Sequence, residues 1–502
     1  MIASSLRRAA GLLPLFASLL CAEAKLPALF TDHMVVQRNR PVHVWGTATP
    51  GEEVAATFRG TTASGRANSL GQWSLLLPPG EAGGPLDLTV KASNTITLRD
   101  VLVGDVWVAS GQSNMEFATR DAVDAAKEIS AANYPNIRLF RVENNVATHP
   151  LDDVTAAPWA SVTPQSVAGF SAVAYFFGRH LNEKQRVPIG LIESNWGGTP
   201  AEAWTSLRAL SSDASLMPVF SEWAKMNDDA IGTRLRRDQQ LAEWQKSVDQ
   251  AKADGRTAPG RPWAPNERDC WSPAGLYNAM IAPLTPFPIR GAIWYQGESN
   301  AGIERVSTYS RLFQTMIQDW RRAWGEDFPF LFVQLANYTT GSTSRWPELR
   351  DAQRQTLALR NTAMATAIDI GDPKDIHPKN KQDVGLRLGL AARAVAYGEP
   401  IEYSGPMYRQ TVAEGPSLRL FFDHTGTGLT VRGGALKGFE IAGADRKYVA
   451  ADARIDGSTV VLTSPAVANP ISARYAWKDN PETSLYNKEG LPATPFQTEQ
   501  PR

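Results

Sequence analysis

Between about residues 104 and 400, short apolar runs alternate with stretches of helical periodicity. The apolar runs are "VWVA", "VPIGLIE", "GAIWYQ", "PFLFVQLA" and "TAMATAIDI". One stretch between them has the spacing of a single helix face, with apolar side chains at Tyr309, Leu312, Phe313, Met316, Ile317 and Trp320. This alternation favours a parallel sheet whose two faces are both covered by helices. We therefore predict an α/β fold for the middle of the chain.

Two β-rich regions flank this core. Residues 25–103 contain runs such as "PVHVWGTA" and "GQWSLLLP", separated by Gly, Pro and Asn turns, which predicts a small β-sandwich. Residues 401–502 are again rich in short β runs, such as "SLRLFFD" and "STVVLTS". Within the α/β domain, predicted to span 104–400, residues 208–268 are polar and rich in Lys, Asp and Gln. We interpret this segment as a helical insertion.

The first 24 residues have the pattern of a secretory signal peptide. Arg7 and Arg8 precede the apolar run "AAGLLPLFASLLC", and "AEA" supplies small residues up to a cleavage site after Ala24. We expect a periplasmic or secreted protein. After cleavage Cys270 is the only cysteine, so no internal disulfide forms, which fits a periplasm. Basic and acidic residues balance at 51 each, and this charge indicates neither a nucleic-acid nor a membrane partner.

Polar clusters follow four strands of the predicted sheet. They occupy residues 110–114, 194–199, 297–300 and 371–378. Ligand sites of open parallel sheets lie beyond the carboxyl ends of the strands. We therefore expect the four clusters to converge on one crevice.

Ser113, in the first cluster, is the candidate nucleophile. A serine needs a neighbouring base to accept its proton, and the base needs a third group to orient it. Of the six histidines, only His377 follows a strand of the sheet in a loop with nearby carboxylates, so it is the candidate general base. Asp375 is the favoured orienting acid, and Asp372 and Glu298 are alternatives that the sequence does not separate.

An acyl-transfer site also needs hydrogen-bond donors for the oxyanion. In "WGGTPAEAW" the glycines permit close backbone approach at Gly198, and "TPAE" predicts a capped helix start whose N–H groups face the site. The backbone N–H of Ser113 is a further candidate. The side chain of Gln296 or Asn300 is another.

Aromatic residues flank the predicted crevice. Aromatic faces pack well on sugar rings, so Trp196, Trp294 and Tyr295 are predicted to contact a carbohydrate, with core packing as the alternative for each.

Ser113 also has a simpler alternative role as a helix N-cap, because Glu116 stands at capping-box spacing. The chain has no H-E-x-x-H, C-x-x-C or G-x-x-x-x-G-K-[ST] motif, and we predict neither a metal nor a cofactor.

The chain resembles the sialate O-acetylesterases, carbohydrate esterases of the SGNH-hydrolase superfamily, in six motifs. These are "SGQSNM", "GLIESNWGGTPAEAW", "GLYNAMIAPL", "IRGAIWYQGESNA", "DIHPKNKQDVGLRLGLAARA" and "YAWKDNPETSLYNKEGLPATPF". The resemblance implies a flavodoxin-like three-layer α/β/α core with accessory β-sandwich-like domains, and cofactor-free removal of acetyl groups from sugar hydroxyls. By motif, Ser113 corresponds to the nucleophile and His377 to the base.

Two positions depart from the superfamily pattern. The acid usually stands three residues before the histidine, where this chain has Lys374, whereas Asp375 is two before. The motif "IRGAIWYQGESNA" reads G-E-S-N where the superfamily has G-x-N-D. The acid and the side-chain oxyanion donor therefore stay open at this stage.

We predict a periplasmic carbohydrate O-acetylesterase, a serine carboxylic ester hydrolase acting on acetylated sialic acid or plant hemicellulose glycans. Ser113 attacks, His377 moves the proton, Asp375 orients the imidazole, and the Gly198 region binds the oxyanion. The insertion at 208–268 is predicted to form one wall of the crevice and to influence substrate choice. A non-catalytic carbohydrate-binding protein and a lipase or thioesterase on the same core are the alternatives.

Overall fold

The computed structural model describes residues 23–228, 230–260 and 270–498. Residues 1–22 of the predicted signal peptide and residues 229 and 261–268 of the predicted insertion lie outside these ranges. Within the described ranges, no helix is both long enough and apolar enough to cross a membrane.

The N-terminal region consists of short strands. These are β1 (Val35–Gln37), β2 (Val42–Thr47), β3 (Glu53–Phe58), β4 (Thr61–Arg66), β5 (Gln72–Leu77), β6 (Gly83–Lys91) and the 17-residue β7 (Thr95–Gly111). In β5, Trp73, Leu75 and Leu77 are buried and the residues between them are exposed, because successive side chains of a strand point to opposite faces. Strands β3, β4, β6 and β7 form an antiparallel sheet, β1 pairs with β7 in parallel, and β2 pairs with β5.

Strand β7 continues past residue 103 into the centre of a largely parallel sheet. The other strands of this sheet are β8 (Tyr134–Arg141), β9 (Ala160–Val162), β10 (Ile189–Asn195), β11 (Gly291–Tyr295), β12 (Phe330–Gln334) and β13 (Thr362–Thr366). Their order is β13-β12-β11-β7-β10-β8-β9, and of these described strands only β9 is antiparallel to its neighbour. Every residue of β10, β11 and β12 is buried, as expected for parallel strands covered on both faces. The order reverses between β7 and β11, so these two strands form the topological switch point.

Helices cover both faces of the central sheet. The described α-helices are α1 (Ser113–Glu116), α2 (Ala125–Ser130), α3 (Pro164–Ala168), α4 (Ala172–Gln185), α5 (Leu207–Ser211), α6 (Met217–Asn227), α7 (Ala230–Ala253), α8 (Val306–Trp324), α9 (Trp346–Gln355) and α10 (Lys381–Val395). Helices α4 and α10 pack together on one face, where Phe177 of α4 contacts Trp107. Trp294 is paired with Ser110, three residues beyond Trp107, so it points to the opposite face and contacts Trp320 of α8. The predicted three-layer α/β/α class is confirmed.

Helices α5, α6 and α7 lie within or at the edge of the predicted insertion, 208–268. Polar contacts attach this region to α8. The backbone N–H and Oγ of Ser206, just before the insertion, both donate to Asp319, each at 2.9 Å, and Asp213 within the insertion pairs with Arg311. The role of the insertion as a wall of the crevice stays a prediction.

From residue 407 the chain forms a second β region with its own hydrophobic core. Its strands are β14 (Met407–Glu414), β15 (Ser417–Asp423), β16 (Leu429–Val431), β17 (Phe439–Ala442), β18 (Val449–Ala450), β19 (Asp452–Asp456), β20 (Thr459–Thr463), β21 (Ser472–Tyr475), β22 (Leu485–Asn487) and β23 (Phe496–Gln497). Strands β14-β15-β20-β19 form one sheet, β18-β17-β21-β23 form another, and β16 pairs with β22. Leu420, Phe439, Tyr475 and Phe496 belong to one buried cluster. Two sheets that enclose an apolar core are the arrangement of a β-sandwich.

The N-terminal strands and the central sheet share a single hydrophobic core. One contiguous cluster includes Val44 of β2 as well as Trp107 and Trp294 of the central sheet. Phe287, shortly before β11, contacts the ring of Phe30 in an edge-on geometry at 6.1 Å. The predicted boundary at 103/104 therefore falls inside one strand and inside one core.

Replacing Trp294 by alanine is expected to lower the free energy of unfolding by about 3–5 kcal/mol, because a fully buried indole is lost from a packed cluster. Its ring contacts Trp204, Phe313 and Trp320, with centroids about 6 Å apart. The urea denaturation midpoint measures the change. Trp244→Ala, at a half-buried tryptophan of α7, is the control and is expected to cost about 1 kcal/mol or less. Equal midpoints for Trp294→Ala and the unmodified protein would contradict the packing described.

Candidate active site

The end of β7 presents Ser113 beside His377. Strand β7 ends at Gly111, and Ser113 is the first residue of the one-turn helix α1. The Oγ of Ser113 lies 2.9 Å from Nε2 of His377, in the loop between β13 and α10, although the two residues are 264 positions apart. The predicted nucleophile and base are thus within proton-transfer distance.

Gly111 makes the close turn before the serine possible. Its φ is +133°, and a Cβ at this position would lie 2.2 Å from the carbonyl oxygen of Tyr295 on β11. Any other residue would clash with that neighbouring strand. The glycine therefore allows β7 to pair with β11 up to its last residue and then to expose Ser113.

The alternative role of Ser113 as a helix N-cap is wrong. The N-cap position is Gln112, which makes no side-chain capping bond, and the Ser113 hydroxyl contacts the imidazole instead. Glu116 does not complete a capping box either, because its Oε2 accepts the backbone N–H of Gly197 at 2.7 Å.

Of the three predicted carboxylates, all within the described residues, Asp375 alone contacts the imidazole. Its Oδ1 lies 3.5 Å from Nδ1 of His377 and also accepts the backbone N–H of His377 at 2.9 Å. Asp372 instead accepts the N–H of Lys374, and Glu298 accepts the amide of Asn114. The side chain of Asp375 is 45% exposed, so its pairing with the imidazole is partly screened by water.

Burial and charge act together on the base. Burial lowers the pKa of His377, and the nearby charge of Lys381 lowers it further, whereas Asp375 opposes both effects. The imidazole therefore stays neutral to lower pH than an ordinary histidine. A neutral imidazole is the form that accepts the serine proton.

A buried polar network that sequence reasoning missed joins the serine turn to the histidine loop. Asn114 donates through Nδ2 to Glu298 Oε1 at 2.6 Å and to the carbonyl of Ile376 at 3.0 Å. Its Oδ1 accepts from Nζ of Lys381 at 2.5 Å. Asn114, the residue after the nucleophile, is thus hydrogen-bonded to Ile376, the residue before the base.

Lys381 is fully buried at the first position of α10. Its Nζ lies 4.7 Å from the ring centroid of Phe117 and 5.2 Å from that of Tyr295, and burial lowers its pKa to about 7. Burial raises the pKa of Glu298. A lysine in the first turn of a helix lies at the positive end of the helix dipole, which is unfavourable unless other groups bind it. The position of Lys381, four residues after the histidine, was therefore a sequence signal that this lysine has partners near the site.

The predicted glycine turn lies against the nucleophile through Gly197. A Cβ on Gly197 would lie 3.3 Å from Cβ of Ser113. Gly198 has a φ of +75°, and its carbonyl accepts from the indole of Trp271 at 2.6 Å. Neither the N–H of Ser113 nor that of Gly198 is hydrogen-bonded to any described residue. The role of Gly198 at the oxyanion stays a prediction.

The predicted capped helix after this turn is wrong. The chain forms only one 3₁₀ turn, Ala201–Trp204, with no side-chain cap. Thr199 Oγ1 instead donates to the carbonyl of Trp196 and accepts from the indole of Trp204. Glu202 pairs with Arg305 at 2.6 Å.

Gln296 is wrong as an oxyanion donor, whereas the role of Asn300 there stays a prediction. Both side chains are buried. Nε2 of Gln296 donates to the carbonyl of Thr199 at 3.2 Å and to Oδ1 of Asn300 at 2.7 Å, so both of its hydrogens are used. Nδ2 of Asn300 donates to Glu202 at 2.9 Å. These amides hold the end of β11 against the turn that follows β10.

Trp294 and Tyr295 are wrong as substrate contacts, because neither side chain has any exposed surface. Trp294 packs against α8, and Tyr295 packs beside Lys381. Trp196 is half-buried, and its contact with a sugar stays a prediction.

A cavity of about 340 Å³ lies beside α1, and Glu116 is part of its wall. Its charged lining residues are Glu116, Arg120, Arg141, Glu143 and Glu193. Arg141 pairs with Glu193 at 3.0 Å, and burial raises the pKa of both Glu116 and Glu193. This lining suits a small polar group such as part of a sugar.

A serine and a histidine in contact at the switch point of a parallel sheet are the site of a serine carboxylic ester hydrolase. The family model "Carbohydrate esterase, sialic acid-specific acetylesterase" matches residues 103–217 and 251–395. The chain belongs to this family, and it is a carbohydrate O-acetylesterase. The unmatched residues 218–250 fall inside the predicted insertion.

Relatives and a solved structure extend the match over nearly the whole chain. The sialate O-acetylesterases of Rattus norvegicus and Mus musculus are each 32% identical to it, over 93% of this chain and 93% of theirs. The crystal structure of a carbohydrate acetylesterase from Xanthomonas citri is 39% identical and superposes with a TM-score of 0.82, over 95% of this chain and 100% of that one.

Replacing Lys381 by methionine is expected to move the acidic limb of the kcat/KM profile to higher pH, by about half a unit. Lys381 is charged where His377 titrates, and removing that charge raises the pKa of the base. The pH profile on p-nitrophenyl acetate measures the shift. Lys379→Met, at an exposed lysine of the same loop, is the control and should leave the limb in place. An unmoved limb in Lys381→Met would contradict the electrostatic role.

Proposed function

We propose that Ser113, His377 and Asp375 hydrolyse acetyl esters on sugar hydroxyls through an acetyl-enzyme. Ser113 Oγ attacks the carbonyl carbon while Nε2 of His377 accepts its proton. The tetrahedral intermediate collapses, the bond to the sugar oxygen breaks, and His377 returns the proton to that oxygen. A water then attacks the acetyl-serine with His377 again as base, and acetate leaves as Ser113 regains its proton. The 2.9 Å contact between Oγ and Nε2 carries this proposal.

The carbonyl oxygen becomes negatively charged in the tetrahedral intermediate. We place it against the N–H groups of Ser113 and Gly198, whose hydrogens have no partner among the described residues. Donors of this kind act on the charge that develops in the transition state, and each typically contributes a factor of about 10²–10³.

The charged lining of the cavity beside α1 favours a sugar ester over a long acyl chain. Five ionisable side chains line it, and an alkyl chain would have to desolvate them. The lipase and thioesterase alternatives are therefore less compatible with this cavity. The non-catalytic alternative conflicts with the hydrolase class of the chain. O-acetylated glycans, sialic acid and hemicellulose among them, are the proposed substrates.

Replacing Ser113 by alanine is expected to reduce kcat for p-nitrophenyl acetate by three orders of magnitude or more. The matched control is Ser110→Ala, because the Ser110 hydroxyl lies three residues earlier on β7, is buried and has no hydrogen-bond partner among the described residues. Two further assays measure the preference for acyl chain and sugar. They follow acetate release from O-acetylated glycans and p-nitrophenol release from p-nitrophenyl butyrate. Equal activity of the two alanine variants would overturn the proposal, and a preference for butyrate would overturn its substrate class.

Asp375→Asn is expected to lower kcat about 10²-fold, because an amide at this position no longer stabilises the imidazolium that forms during attack. Asp372→Asn and Lys374→Ala should stay near the unmodified rate, since the hydrogen bond that Asp372 makes among the described residues lies within its own turn and Lys374 is exposed. Steady-state kinetics of the three variants distinguish the acids. A larger loss in Asp372→Asn than in Asp375→Asn would contradict the assignment.

A further inference from the structure

An open crevice lies beside the histidine loop, on the same edge of the sheet as Ser113. Two segments line it, residues 339–348 after β12 and residues 477–480 of the C-terminal β region. Its volume is about 660 Å³. We call it the Trp477 crevice. None of the residues placed in the catalytic machinery lines it.

A fully buried guanidinium builds this crevice. Arg350 of α9 donates to the carbonyls of Lys478 and Asp479 at 2.8 and 2.7 Å, and to those of Leu335 and Ala336 at 2.9 and 2.8 Å. One side chain thus fastens the C-terminal segment to the end of β12. Asn337 adds a contact to Asn480 at 2.8 Å. The C-terminal β region is therefore held at the catalytic edge chiefly by hydrogen bonds from one buried side chain to main-chain carbonyls.

The crevice is continuous with the histidine loop. Asn337 Oδ1 accepts the N–H of Gly371 at 2.8 Å, and the N–H of Thr339 donates to the carbonyl of Pro373 at 3.2 Å. Pro373 is four residues before His377, a stretch of chain that spans at most roughly 14 Å. A ligand chain that starts at the nucleophile can therefore run into the crevice.

Trp477 is a half-buried aromatic in this wall. Among the described residues, no ring or cation stacks on it and its indole N–H has no hydrogen-bond partner. The neighbouring Trp346, by contrast, is buried and donates to the carbonyl of Ala336. An indole with an open face and an unused donor is a typical platform for a sugar ring, whose C–H face stacks on it.

The charges of the crevice balance. Arg345 and Lys478 stand against Glu348 and Asp479, so the lining has no net formal charge. Its remaining polar groups are hydroxyls and an amide, such as those of Thr339, Ser342 and Asn480. Groups of this kind match the hydroxyls of a neutral glycan and offer no surplus cation for an acid sugar.

We propose that the Trp477 crevice is a glycan subsite that binds the neutral oligosaccharide chain extending from the acetylated sugar. Trp477 stacks on a ring of that chain, and the C-terminal β region selects for polymeric substrates. This inference rests on the proposed function, because it assigns a second contact to the same substrate.

Kinetics on two substrates test the subsite. Trp477→Ala is expected to raise KM for an acetylated xylo-oligosaccharide about tenfold or more, with kcat and the activity on p-nitrophenyl acetate unchanged. Trp477→Phe should recover part of the affinity. The matched control is Glu482→Gln, because Glu482 lies two residues beyond the 477–480 segment and pairs with Lys437 at 3.1 Å instead. An unchanged KM, or equal losses on the two substrates, would overturn the proposal.

Binding measured without turnover separates this proposal from the catalytic one. In the Ser113→Ala background, intrinsic tryptophan fluorescence is titrated with the same acetylated xylo-oligosaccharide, with and without Trp477→Ala. A tenfold weaker Kd in the double variant supports the subsite even if Ser113 is not the nucleophile. Equal Kd values overturn it. Tighter binding of an O-acetylated sialyl-oligosaccharide than of the neutral chain would overturn the choice of a neutral glycan.

Discussion

The hydrogen-bonded register of β7 with its two neighbours is the constraint on which the site depends. Gly111, the last residue of β7, is level with Asn195 on β10 and with Tyr295 on β11. Three strands therefore end at the same height, and the polar segments that follow them meet. Because the strand order reverses at β7 and β11, the helices leave on opposite faces there and a crevice opens between them.

Two buried charged residues, Lys381 and Glu298, support the catalytic pair. Taking Lys381 and Glu298 out of water is costly, and the cost is tolerable only where each ion finds hydrogen bonds. The amide of Asn114 serves both, with its oxygen toward the lysine and its nitrogen toward the carboxylate. The same amide binds the carbonyl of Ile376, so the group that binds Lys381, whose charge lowers the pKa of the base, also fixes the position of its loop. Electrostatics and geometry are thus coupled in one group.

The α/β class and the Ser113–His377 pair were predictable because both follow from position along the chain. Apolar runs of strand length identified the sheet, and the rule that ligands bind at the carboxyl ends of strands singled out the two residues. Trp294 was misassigned because one residue of register decides which face a side chain occupies, and the sequence does not show whether that face is covered by a helix. Trp294 lies on the face covered by α8, where its ring contacts Trp320 and is fully buried.

Gln296 was misassigned for another reason. Its amide stands at the correct strand end, but its hydrogens bond to Asn300 and to Thr199, which belongs to a segment about a hundred residues away. Such pairings depend on tertiary contacts that no local pattern encodes. The burial of Lys381 likewise depends on tertiary contacts, because the rings of Phe117 and Tyr295 lie against its Nζ. Among the three acids, spacing alone was insufficient, and only the fold separated Asp375 from Glu298.

Strand β7 belongs to the N-terminal antiparallel sheet in its first half and to the central sheet in its second half. Which side chains point inward in one region therefore determines which point inward in the other. Adding or removing a single residue within Thr95–Val103 would exchange the inward and outward sides of everything downstream, including Trp107 and the turn that bears the nucleophile. Recombination between relatives can therefore exchange this N-terminal region only in steps that preserve the pleat. The shared strand thus couples the inward and outward faces of the two regions, and the geometry of one region limits evolutionary change in the other.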